Sequence, residues 1–113
     1  MTDLQKALDH LTDQIKTYRE TSSMDGDALS EILKQITATL FYLEKERASF
    51  HHTYQSSVCA LVSEGMSVSR AEAQTHSELP EMYLLRRIMD SAYEVVGAIR
   101  TNISWIKTGL TNV

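Results

Sequence analysis

The final thirty residues repeat an apolar side chain on a strict heptad beat, and nothing else in the chain restricts the fold as much. Leu85, Met89, Ala92, Val96, Ile99, Ile103, Ile106 and Leu110 are spaced alternately by four and three residues. At 3.6 residues per helical turn, that spacing holds one apolar stripe on one side of a helix for about seven turns. A second row, spaced by seven, runs along the flank: Arg86, Tyr93, Arg100 and Lys107. One helix therefore offers a packing seam with a basic, aromatic edge beside it.

The rest of the chain follows the same period. Leu4, Leu8, Leu11, Ile15 and Tyr18 predict a helix over 2–20, with Thr2 or Asp3 as its cap. Residues 21–27 hold turn formers, and Asp27 is the expected N-cap of a long helix over 28–63. Its stripe is Leu29, Leu33, Ile36, Leu40, Leu43, Phe50, Tyr54 and Leu61, with Arg47 interrupting it and Val58 beside it. Gly65 predicts a left-handed helix stop. Ser69-Arg70-Ala71-Glu72 fits a capping box opening a short helix over 70–78. Pro80 either sits in the first turn of the last helix or marks a kink; a kinked junction from Ser77 to Pro80 is the preferred reading. The last helix is expected over 80–108, stopping at Gly109 with Leu110 folded back on it.

One proline and four glycines in 113 residues are too few for a sheet with many hairpins. The expected fold is thus all-α: a single domain over 1–113, an elongated antiparallel helical hairpin or bundle with a shorter N-terminal helix. A 36-residue helix would span roughly 54 Å and leave a chain of this size with a thin core. Thin heptad rods complete their burial against another copy, coiled-coil fashion. The expected homo-oligomer interface is therefore the seam itself: Leu85, Met89, Ala92, Val96, Ile99, Ile103 and Ile106.

Charge is uneven. Up to Glu31 there are seven acids against three bases, which accounts for the whole net charge of −4. From Met82 onward, Arg86, Arg87, Arg100 and Lys107 face only Asp90 and Glu94. An acidic head and a mildly basic tail suit self-complementary assembly or an anion-binding end. The lone Cys59 excludes an internal disulfide and reads, in its apolar setting, as a small buried hydrophobe. With a polar start and no apolar run near 18 residues, the expectation is a protein cytoplasmic in the cell that makes it, with no membrane partner.

No catalytic signature emerges. His51 and His52 point about 100° apart on a helix and have no histidine or acid at useful spacing, so no metal site is expected. The apolar neighbourhood of Cys59 works against an activated thiolate. Glu44 and Glu46 face different sides of their helix, and there is no glycine-rich phosphate loop. A non-enzymatic protein without cofactors is expected. The row Arg86, Tyr93, Arg100, Lys107, with Arg87 and Trp105 nearby, has two readings. One is amphipathic side chains covering the core margin, with Tyr83 and Trp105 in the core. The other is a single-stranded nucleic-acid track of cations on phosphates and rings on bases, so Arg86, Arg87, Tyr93, Arg100 and Lys107 are the candidate contacts. A competing function class is a protein–protein interaction module, a phage-encoded inhibitor or adaptor, that uses its acidic N-terminal helix.

The layout also carries a likeness. A long helix, a short Gly/Ser loop, the helix start Ser69-Arg70-Ala71-Glu72-Ala73, and the beat from Ala92 to the closing Ile103-Ser104-Trp105-Ile106-Lys107 resemble small bacteriophage recombination mediators of the UvsY type. The resemblance covers roughly residues 40 to 110. It implies binding of single-stranded DNA by a ring-shaped homo-oligomer that loads a recombinase onto strands coated by single-strand-binding protein. By position, Arg86, Arg87, Arg100 and Lys107 would meet phosphates.

Overall fold

The computed structural model describes residues 2–111, with backbone only for the last two. Four helices follow one another: α1 (Asp3–Glu20), α2 (Gly26–Ser63), α3 (Val68–Glu78) and α4 (Pro80–Thr111). Among the described residues there is no strand, so the fold is all-α as the periodicity requires. α2 is the spine. α1 and α4 pack on its N-terminal half and on each other, while α3 packs on its C-terminal half.

The molecule is a rod of 68 × 31 × 19 Å with a radius of gyration of 18.9 Å. A compact domain of this length would have a radius near 13 Å. The elongation follows from α2, whose 38 residues rise about 57 Å.

Local chemistry sets the helix ends. Thr2 caps α1 by accepting from the Gln5 amide at 3.1 Å. The α2 cap is Asp25, not Asp27, and its carboxylate accepts from the Ala28 amide at 3.1 Å. Both aspartates suit the role, but Asp25 stands outside helical geometry (φ −89°, ψ 84°) and leaves Asp27 as an acid in the first turn, beside the positive end of the helix. Similarly Ser67 rather than Ser69 caps α3, accepting from Arg70 N–H at 3.3 Å, and the expected capping box is not formed. The reason lies upstream. Gly65 (φ 101°) closes α2 with both backbone bonds of a Schellman turn, Gly65 N–H to Val62 O and Met66 N–H to Leu61 O. Ser67 is then the first residue free to start a new helix.

At the other end of α3 there is a true break. Leu79 leaves helical geometry (φ −124°, ψ 59°), and Pro80 opens α4, where a missing amide costs little. The first-turn reading of Pro80 holds, and the kink does not. α4 also runs through Gly109 to Thr111 instead of stopping there, and the Leu110 side chain lies outside the described residues.

The seam of α4 is filled from within the chain. Leu85, Met89, Ala92 and Ile99 are fully buried and Val96 nearly so, against Leu8, Leu11 and Ile15 of α1 and Leu29, Ile32, Ile36, Leu40 and Leu43 of α2. Ile103 and Ile106 are partly buried against the same cluster. For Leu85, Met89, Ala92, Val96 and Ile99 this corrects the expected oligomer interface, because side chains sealed in an intramolecular core have no surface left for a second copy; Ile103 and Ile106 keep part of theirs. Ile32 lies off the predicted α2 stripe yet is buried. A helix gripped by two neighbours needs a wider apolar arc than one heptad row.

Past Leu43 the core thins. Asp3 lies near Tyr42, where its carboxylate, after burial and the Glu46 charge, helps to hold the phenol above its ordinary pKa. Beyond that point α1 covers nothing, and Phe50, Tyr54, Val58 and Leu61 are only partly buried. α3 adds Ala71 and Thr75, both fully buried, whose small size brings it close to α2. The Thr75 hydroxyl donates to Ala71 O at 2.8 Å, so its burial leaves no polar atom unpaired.

Candidate nucleic-acid interface

The seven-spaced row of α4 sits beside the core stripe, on the side that meets α2. Arg100 and Lys107 line an open groove of about 630 Å³ together with Ser30 and Leu33 of α2 and Ile103 and Ser104 of α4. Arg86 lines a second groove of about 670 Å³ farther along the same pair of helices. Tyr93 stands between the two. Its hydroxyl donates to a Glu44 carboxylate oxygen on α2. Arg86, Tyr93, Arg100 and Lys107 thus follow one valley between α2 and α4, about 32 Å from end to end. All four are exposed.

Arg87 is not part of this row. One residue on from Arg86, it turns about 100° away, and its guanidinium lies over the Tyr83 ring, 5.8 Å from the centroid. Trp105 also lies off the valley lining, and it is 76% exposed, so the expectation that it is core fails. Tyr83 is likewise exposed, as a lip of the second groove.

Glu44 is the electrostatic knot of the valley. It accepts from Tyr93 and pairs with Arg47 at 2.9 Å, one turn further along α2. The hydrogen bond to Glu44, then burial and the Glu44 charge, raise the Tyr93 pKa, while Arg47 opposes them. The neutral phenol is therefore the form that bridges α4 to α2. Its ring, 44% exposed, still presents area to a ligand.

The sequence reading missed the α2 wall. Arg47, His51 and Tyr54 line the second groove beside Arg86, joined by His76 of α3. The signal was present, since 47, 51 and 54 repeat at four and three residues, the spacing of one helical face. Arg47 read only as an interruption of an apolar stripe, and His51 as a solvent-facing or interface residue with no metal partner. Among the described residues, no three His, Cys, Asp or Glu side chains gather to hold a metal ion. Cys59 is exposed, not buried, because no helix covers its side of α2.

Together these features define an all-helical rod with a basic, tyrosine-bridged valley along its two longest helices. Comparison with protein-family models, curated proteins and solved structures finds no match for this chain. No helix among the described residues is long and apolar enough to cross a membrane.

Proposed function

We propose that this is a non-enzymatic protein that binds single-stranded DNA along the α2/α4 valley. The observation that supports this reading is the placing of Arg86, Tyr93, Arg100 and Lys107 along one exposed valley, three cations and one ring at constant spacing. Cations on phosphates and rings on bases are how single strands are held without sequence preference. An accessory role in phage recombination, assisting recombinase loading from the cytoplasm as a homo-oligomer, extends this proposal through the UvsY-type resemblance. With the α4 seam closed inside the chain, self-association would run over the thinner half, where Val62, Val68 and Leu84 are exposed.

The competing use of the acidic first helix as a docking element has less support. Leu8, Leu11 and Ile15 commit α1 to the core. Deleting residues 1–24 would therefore unfold the bundle rather than remove a detachable arm.

Fluorescence anisotropy with a labelled oligonucleotide at low salt tests the main proposal. Binding should weaken with salt at a slope near −0.7 per phosphate neutralised. Arg100→Glu with Lys107→Glu should abolish it while helical content, read by circular dichroism, stays unchanged, because both side chains are exposed. Absence of binding by the wild type, or binding indifferent to salt and to the double reversal, would overturn it.

A further inference from the structure

The valley changes character where its α4 wall begins, at Pro80. There three helices meet around the groove of about 670 Å³. α2 lends Arg47, His51 and Tyr54, α3 lends His76 from its last turn, and α4 lends Tyr83 and Arg86. Glu44 is the one carboxylate among the described lining residues, and it is already engaged by Arg47 and Tyr93. Two guanidiniums against one carboxylate leave the lining at +1 with neutral imidazoles and +3 with both imidazoles charged. At the Arg100 end the lining holds no aromatic ring.

The start of α4 adds little to this charge: Glu81 occupies its first turn and the Met82 N–H already donates to Leu79 O at 3.2 Å. Rings also line the groove: Tyr54 and His76 pack on each other at 4.9 Å between centroids, tilted by 54°, and the Tyr83 ring, in a residue 60% exposed at the lip, offers a face to a base.

From this geometry we infer that the groove binds a phosphate monoester carried by a nucleoside, the terminal phosphate of a nucleotide. A monoester near neutral pH carries up to two charges and three acceptor oxygens, which suits two guanidinium forks and two imidazoles. An internal phosphodiester has a single charge and asks for fewer donors than this groove offers. Position agrees with chemistry, since a strand following the α2/α4 valley reaches its end where α4 gives way to α3. The assignment rests on strand binding for the polymer that carries the phosphate, and on the groove alone for the phosphate itself.

The test uses the full chain and three internally labelled oligothymidylates: one with a 5′-phosphate, one with a 3′-phosphate, and one with hydroxyls at both ends. One phosphorylated end should bind about ten-fold tighter than the hydroxyl strand, the scale of one added charge-assisted contact. Equal affinity for all three overturns the inference. His51→Gln with His76→Gln should shrink that ratio toward one with helical content intact; a ratio left unchanged also overturns it. In parallel, thymidine monophosphate should shift the ring resonances of His51 and His76, whereas thymidine should not. Equal shifts by both would overturn the phosphate assignment. If no strand binds but the mononucleotide still shifts both histidines, a free nucleotide is the source and strand binding fails alone. Equal strand affinities without mononucleotide shifts remove the groove and leave strand binding in place.

Discussion

The two halves of α2 share a sequence period but not an environment. Over Leu29 to Leu43, α2 lies between α1 and α4 and buries five large aliphatic side chains. Over Phe50 to Leu61 it has α3 and the start of α4 beside it, and its stripe residues are only partly buried. The difference is the reach of the neighbours: α1 and α4 close a wide apolar arc over the proximal half, whereas the short α3 and the first turns of α4 leave Phe50 and Tyr54 only partly buried. The boundary is marked by polar chemistry: Arg47 takes the stripe position one turn beyond Leu43 and pairs with Glu44, which Tyr93 also holds. Stability is thus concentrated at the α1 end, and the better anion site lies at the end with less packing.

The largest expected effect tests that division directly. Leu43→Ala should destabilise by about 2–5 kcal/mol in urea unfolding, the usual range for a fully buried leucine. Phe50→Ala, despite removing a larger side chain, should cost about 1–2 kcal/mol because water already reaches that site. Equal costs would mean that the distal half is as well packed as the proximal one, for instance because a second copy covers it.

A smaller effect is expected at the boundary. Tyr93→Phe removes one partly exposed hydrogen bond and should cost about 1 kcal/mol or less. It should also change the response to alkali. The folded-state pKa of Tyr93 is raised, chiefly by its bond to Glu44, so this contribution is complete below the ordinary tyrosine value of about 10. It is lost as pH climbs through the raised value. The wild type should therefore lose more stability between neutral and strongly alkaline pH than Tyr93→Phe. A variant with the same alkaline slope would show that the bridge adds nothing to folding.

The smallest effect concerns Cys59. Its thiol should react with a disulfide reagent in the folded protein without denaturant, and capping it should leave the melting temperature unchanged, because it is exposed in the thin half. Protection at high protein concentration, relieved by dilution, would instead reveal self-association over this face.

Much of this molecule follows from spacing alone. The four-three beat of apolar residues determined the all-helical class and three of the buried faces, because a helix has one period and burial must follow it. Gly65 determined a left-handed stop, because few other residues adopt that geometry without strain. Local sequence could not choose between Asp25 and Asp27 or between Ser67 and Ser69, since each pair is chemically equivalent for capping and only the path of the preceding turn selects one. Nor could it say what covers a stripe. The seam of α4 reads identically whether α1 and α2 or a second chain fills it, and only the docking of α1 over Leu29 to Leu43 decided the matter. The same holds for the candidate site. Spacing placed Arg86, Tyr93, Arg100 and Lys107 on one line, but Arg47, His51 and His76 joined Arg86 only through the antiparallel register of α2 against α4 and the return of α3. Periodicity reports which side of a helix a residue occupies; what stands opposite is a property of the packed chain.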